Sequence, residues 1–194
     1  MNLGSALVVF AVTIVGLVFA FVVVTDYNAV IALRQRIDKA WSNIDVVLKQ
    51  RHDQLPALVD AVRGLLAFEQ DVLVEVTRAR AAYSATEPIP DQAVTSERTT
   101  AAVRSLLVTV ERYPDLKSQG NVLDLQNEIE RLESMIADRR ELYNDQVYRY
   151  NTKIATVPTL VLASVLGWRA RPFFSAEPAE RSVPPAAVTP GGVP

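Results

Sequence analysis

The chain has 194 residues, a formal net charge of −2, one histidine and no cysteine. Without cysteine it cannot form disulfides, thiolate nucleophiles or cysteine-ligated metal sites, and a single histidine excludes the paired-histidine metal sites of helical bundles. The near-neutral charge argues against a nucleic-acid partner, because nucleic-acid-binding proteins usually carry a basic excess. The length suits one domain with additional segments.

The first 25 residues carry no charged side chain and predict a membrane anchor. As a helix, the apolar residues 3–24 would span roughly 33 Å, which is enough to cross the hydrocarbon core of a bilayer. The apolar run is longer than that of a signal peptide, has no basic region before it and is not followed by a cleavage site. We therefore predict a retained transmembrane helix over residues 1–25.

The charges next to this helix predict its orientation. Arg34, Arg36 and Lys39 lie close to the C-terminal end of the apolar run, whereas the N-terminal flank has only its α-amino group. By the positive-inside rule, the short N-terminus should lie outside the cell and the following domain in the cytoplasm.

Residues after the anchor have helical periodicity. Apolar side chains recur at spacings of three and four from Tyr27 to Tyr83, which predicts amphipathic helices. Because proline disrupts a helix interior, Pro56, with Asp53 as a candidate N-cap before it, predicts a turn at residues 50–56. The register continues through this turn, so one long kinked helix over the whole stretch is the alternative.

Two further helices follow in the sequence. One covers about residues 91–113 and ends at Tyr113, because proline disfavours helical conformation in the residue before it. The other begins at Gly120 and continues to Val157. No segment shows strand-type alternation, so residues 26–157 predict an all-α domain, an up-down antiparallel four-helix bundle whose last helix ends beside the membrane.

The chain after the bundle divides into two segments. Residues 158–174 are apolar and aromatic, but the apolar run is too short to span a bilayer. Trp168, Phe173 and Phe174 suit either a segment at the membrane interface or a cap packed on the end of the bundle. Residues 175–194 hold five of the eleven prolines and predict a disordered tail.

The sequence offers no catalytic, cofactor-binding or metal-binding set. His52, flanked by Arg51 and Asp53, could act as a base oriented by the aspartate, but it is explained more simply as a surface residue at a turn. The glycines form neither of the common phosphate-binding loops. A ligand sensor or hydrolase with a pocket near His52 is therefore only the alternative to a non-enzymatic function.

Several polar residues occur where the periodicity expects a core. Asn43 and Asp45 follow Trp41 in a strongly inward stretch, and Asn144 and Asn151 lie seven residues apart in the last helix. Buried amides must be hydrogen-bonded. These polar residues therefore predict either interhelical bonds that fix the register of the helices or contacts with an oligomer partner or a ligand.

Separate motifs of this chain, in order, resemble the LemA family of bacterial membrane proteins. They are AWSNIDV (40–46), LKQRHDQLPALV (48–59), VTRAR (76–80), YPDLKS (113–118), RRELYND (139–145), the pair at 150–151, and the ending from 158 to 174. The resemblance covers about residues 26–174. Together with the polar pattern it gives these structural or interaction candidates: Trp41, Asn43, Asp45, Arg51, Pro56, Tyr113, Arg139, Asn144, Asn151, Trp168, Phe173 and Phe174.

The resemblance implies an N-terminal anchor and a four-helix bundle, and no enzymatic activity is established for LemA-like proteins. Some of them accompany membrane metalloproteases or help to build specialised membrane compartments. We therefore expect a non-enzymatic scaffold or adaptor in the bacterial inner membrane that crosses the bilayer once and uses no cofactor. Its expected partners are the lipid bilayer and either a second copy of the chain or another membrane protein, such as a protease.

Overall fold

The computed structural model describes residues 3–63, 69–114 and 120–175, and all regular structure within them is helical. The all-α prediction is thereby confirmed. The helices are α1 (Leu3–Arg63), α2 (Gln70–Ala81), α3 (Ile89–Glu111), α4 (Gly120–Ala155) and α5 (Thr159–Leu166).

Helix α1 joins the predicted anchor to the bundle without a break. It has 61 residues and is therefore about 90 Å long. Its N-terminal part is long and apolar enough to cross a membrane and is not buried against the rest of the protein. Phe10, Phe19 and Phe21 are each 65–70% exposed there, as expected for side chains that face lipid.

The predicted turn at residues 50–56 is wrong, because α1 continues through Pro56 to Arg63. Proline has no N–H to bond the carbonyl four residues earlier, which belongs to His52. That carbonyl instead accepts a hydrogen bond of 3.2 Å from Nε of Arg80 on α2. A single helix over 27–83 is also wrong, because α1 and α2 are separate helices.

The four long helices form an antiparallel bundle, as predicted. Helix α4 packs along α1, and α2 packs on α3. Two ion pairs show the antiparallel register of α1 and α4, since Asp26 pairs with Lys153 and Arg51 with Glu133. The core consists of the apolar stripes that the periodicity predicted, including Ile37, Ile44, Leu48, Leu58, Leu106, Ile129, Leu132 and Val147.

The chain reverses direction after α4 and returns along the bundle. The reversal includes the cis bond between Val157 and Pro158, and α5 follows it. Gly167 ends α5 with a φ of 67°, a left-handed conformation that glycine adopts without strain. Residues 168–174 then run back beside α4. The predicted disordered tail, apart from Ser175, lies outside the described residues.

Candidate functional site

The returning segment at residues 168–174, here called the strap, is held by the side-chain amides of α4. Asn151 donates from Nδ2 to the carbonyl of Arg171 (3.0 Å) and accepts from the Arg171 N–H (2.8 Å). Asn144 makes the same two bonds with the backbone of Phe174, at 3.2 and 2.9 Å. Each amide therefore pairs with both the backbone N–H and the backbone carbonyl of one strap residue.

Two tyrosines of α4 add hydrogen bonds from the same face. The hydroxyl of Tyr143 donates to the carbonyl of Pro172 (3.0 Å), and that of Tyr150 donates to the carbonyl of Arg169 (3.1 Å). The two tyrosines lie seven residues apart, about 10 Å along a helix, and three residues of extended chain cover about the same distance. This match of lengths explains why a repeat of seven on α4 pairs with a spacing of three on the strap.

The aromatic side chains of the strap take different positions. Phe174 is 2% exposed and contacts Trp41, with 5.8 Å between ring centroids. Trp168 is half-buried against Tyr27 at 5.9 Å. Phe173 is 43% exposed, so it does not belong to the core.

The membrane-proximal end of the bundle brings α5 beside the anchor. Pro158 and Leu162 line a groove together with anchor residues as far along as Ile14. Helix α5 has no charged residue. Several apolar side chains on α5 or just before it are exposed: Val157, Leu160, Val161, Val165 and Leu166. The salt bridge between Lys153 and Asp26, at 2.6 Å, links α4 to α1 at this end of the bundle.

The centre of the bundle contains a buried ionic network. The Arg51 side chain is 3% exposed and pairs with Glu133 Oε1 at 2.8 Å. Its guanidinium also donates to the hydroxyls of Thr100 (2.9 Å) and Ser96 (3.0 Å). Thr100 in turn donates to the other Glu133 oxygen at 2.7 Å. The network links α1, α3 and α4, so it fixes their relative register.

His52 and Asp53 do not form the base–carboxylate pair that the sequence suggested. The Asp53 carboxylate instead accepts a bond from Lys49 at 3.1 Å and is largely exposed. The His52 ring packs against Tyr83 at 5.1 Å, and its Nδ1 has no hydrogen-bond partner among the described residues. The space between His52 and its neighbours is about 10 Å³, room for about one water molecule.

Comparison with known proteins identifies the chain. The LemA family profile matches residues 40–187, most of the sequence. The chain belongs to the LemA family. It is 28% identical to Protein LemA of Metamycoplasma hominis over 165 residues, which covers 84% of this chain and 75% of that protein.

Magnetosome proteins are also similar to this LemA-family chain. Magnetosome protein MamQ of Magnetospirillum gryphiswaldense is 22% identical over 206 aligned positions, covering 92% of this chain and 76% of that protein. Magnetosome protein MamQ 2 of Paramagnetospirillum magneticum is 32% identical over 78 residues, covering 40% of this chain and 29% of that protein. With the apolar N-terminal helix, the family places this chain among membrane-associated helical proteins.

The structure assembles some of the sequence-predicted residues of this LemA-family chain into two groups. The strap contacts include Trp41, Asn144, Asn151, Trp168 and Phe174. Arg51 lies in the buried ionic network. The Asp45 carboxylate accepts a bond from the Tyr83 hydroxyl at 3.4 Å. Burial and the neighbouring Asp45 carboxylate raise the pKa of that hydroxyl.

Other predicted residues lie apart from both groups. Asn43 is exposed, so the expectation of a buried amide there is wrong; it faces away from the stripe formed by Ile44 and Val47. Arg139 is half-buried on α4. Tyr113 donates to Glu69 at 3.3 Å, near the opposite end of the bundle from the membrane.

The partners of Arg51 were missed from the sequence. Glu133 was not among the candidate residues, whereas its carboxylate accepts bonds from Arg51 and Thr100. A usable signal was present on α3, where Gln92, Ser96 and Thr99 are buried at helical spacing and form a polar stripe. Such a stripe predicts a buried polar partner, but the sequence does not say which charge lies opposite.

Burial also changes the acidity of Tyr143, the α4 residue whose hydroxyl donates to the strap. The pKa of Tyr143 is raised to about 12, because burial disfavours its ionised form and outweighs the opposing charge of Arg171. The hydroxyl therefore remains a donor to the strap carbonyl well above neutral pH.

Proposed function

We propose that this LemA-family protein is a non-enzymatic scaffold or adaptor that acts through protein–protein contacts at the surface of a bacterial inner membrane. The observation that carries the proposal is the continuity of α1. Because one unbroken helix is both anchor and bundle element, the bundle is attached stiffly to the anchor. Residues 27–63 alone would extend about 55 Å from the membrane edge, which presents the sides of the bundle to other proteins.

The sides of the bundle carry side chains suited to such contacts. Leu142 and Tyr148 on α4 are 61% and 62% exposed, although their neighbours Tyr143 and Val147 are fully buried. Large apolar and aromatic side chains are enriched at protein interfaces. The partner we infer is a second copy of this chain or another membrane protein.

Photo-crosslinking in intact cells tests the scaffold proposal. A photoreactive phenylalanine analogue placed at 142 or 148 should give covalent adducts with a protein, and mass spectrometry of the adducts would name it. The matched control is position 143, where the analogue replaces a buried tyrosine of similar shape and should react only within its own chain. Adducts with a second copy would indicate a homo-oligomeric scaffold, and adducts with another membrane protein would indicate an adaptor. Absence of protein adducts at both exposed positions would contradict the proposal.

We also propose that the N-terminus lies outside the cytoplasm and the bundle inside it. Arg34, Arg36 and Lys39 all follow the apolar part of α1, which is the charge asymmetry that keeps a flank on the cytoplasmic side.

Cysteine labelling tests this orientation cleanly, because the natural chain has no cysteine. In intact spheroplasts, a membrane-impermeant maleimide should label Asn2→Cys, which precedes the apolar run, and should not label Ser134→Cys, which lies exposed on α4. Both variants should be labelled after lysis. The reverse pattern in intact spheroplasts would place the bundle outside the cytoplasm.

A further inference from the structure

An apolar groove runs along the anchor where α5 lies beside α1. Its walls include Ile14, Val18, Phe19 and Val22 on α1 and Val161 and Leu162 on α5, and Asp26 lies at its end. Twelve residues separate Ile14 from Asp26, about 18 Å along a helix. One leaflet of hydrocarbon is about 15 Å deep, so the groove matches the length of a lipid acyl chain in a single leaflet.

The polar end of the groove has an unsatisfied acceptor. Asp26 is 9% exposed, and its Oδ1 accepts the bond from Lys153 at 2.6 Å. Its Oδ2 is buried without a hydrogen-bond partner among the described residues, and so is Oγ1 of Thr159, which is next to groove-lining Pro158. A buried carboxylate oxygen without a donor is unfavourable, so this oxygen can accept a hydrogen bond from a group outside the described residues.

The charges at this end select among membrane components. Asp26 needs an N–H or O–H donor, and the Lys153 side chain, which is one-third exposed, can pair with an anion. Phosphatidylethanolamine has an ammonium with three N–H groups beside a phosphate. Phosphatidylcholine has the same phosphate, but its quaternary ammonium has no N–H. The transmembrane helix of a second copy has no charged side chain in residues 1–25 and so offers no cation to Asp26.

We propose that this groove binds one phosphatidylethanolamine molecule of the leaflet on the side of the bundle. An acyl chain lies between α1 and α5, the lipid ammonium donates to Asp26 Oδ2, and the lipid phosphate pairs with Lys153. The proposal rests on the membrane placement of the anchor, but not on the scaffold role. Loss of cross-links between proteins and loss of lipid binding are therefore separate outcomes.

Native mass spectrometry of the full-length protein in detergent tests the lipid selectivity. The protein is titrated with phosphatidylethanolamine, phosphatidylcholine and phosphatidylglycerol that have identical acyl chains. A first phosphatidylethanolamine should bind on the order of tenfold more tightly than phosphatidylcholine, as expected for a charge-assisted hydrogen bond. Asp26→Asn should remove this preference and leave phosphatidylcholine binding unchanged. Equal binding of the two lipids by the natural protein, or a preference for phosphatidylglycerol, would overturn the proposal.

A pair of valine variants tests the groove itself without altering Asp26. Val22 lines the groove, whereas Val24, two residues later, points to the opposite side of the helix. Val22→Trp should fill the groove and weaken binding of the first phosphatidylethanolamine at least several-fold, while Val24→Trp should leave it unchanged. Equal effects of the two variants would show that the lipids bind the anchor nonspecifically, which would overturn the proposal.

Discussion

Replacing Glu133 with leucine is expected to lower the free energy of unfolding by about 3–5 kcal/mol. The reason is the guanidinium of Arg51, which is 3% exposed and would lose its one ionic partner among the described residues. The hydroxyls of Ser96 and Thr100 would remain as acceptors, but neither carries the negative charge that compensates a buried cation. Urea unfolding of the full-length protein in detergent, followed by circular dichroism, measures the change.

Two further variants make this prediction specific. The double variant Arg51→Met/Glu133→Leu should be more stable than Glu133→Leu alone, because it removes the buried charge together with its partner. Arg149→Gln breaks a solvent-exposed pair with Asp145 on the same helix and should change stability by less than about 1 kcal/mol. If Glu133→Leu is no more destabilising than Arg149→Gln, the network does not carry a buried charge and its role in the register is refuted.

Replacing Phe174 with alanine is expected to lower the free energy of unfolding by about 3–5 kcal/mol, the range for a buried phenylalanine. The ring is 2% exposed and packs against Trp41, which itself packs against Tyr143 at 5.8 Å. The two backbone bonds between Phe174 and Asn144 do not depend on the ring. The expected loss is therefore that of packing, and urea unfolding followed by tryptophan fluorescence reports it.

The neighbouring residue provides the control. Phe173→Ala removes the same side chain from a position that is 43% exposed, so it should cost less than about 1 kcal/mol in detergent. Limited proteolysis should also cleave the strap of Phe174→Ala faster than that of Phe173→Ala. Equal stability of the two variants would mean that the strap does not dock on the bundle in solution.

The proline in α1 shows where sequence reasoning failed. Proline in a helix interior is correctly expected to break a hydrogen bond, and the sequence contains no local group that restores it. The donor to the free carbonyl is Arg80 Nε, which lies 28 residues after His52 in the chain. Leu55 and Leu58, on either side of Pro56, are fully buried and add to the tertiary stabilisation of the helix. A turn predicted from proline alone omits both long-range contributions.

The strap shows a second kind of limit. Two asparagines at a spacing of seven predict hydrogen-bonded amides on one face of α4, since that face packs inward and amides cannot be buried unpaired. The expectation of interhelical partners for these amides is wrong. Their partners are backbone groups of Arg171 and Phe174, in a segment without periodicity. In such a segment no sequence pattern distinguishes the buried Phe174 from the exposed Phe173.

The sequence by itself determined the helical class, the apolar helix long enough for a membrane, the core stripes of the bundle and the membership of the LemA family. These features follow from local composition and from periodicity, which act within a few residues or one helix face. Only the tertiary structure decided the course of α1 through Pro56, the pairing of Arg51 with Glu133 and the docking of the strap. Each of these depends on a polar group whose partner is distant in sequence, because burial requires hydrogen-bond satisfaction but does not specify where the partner comes from.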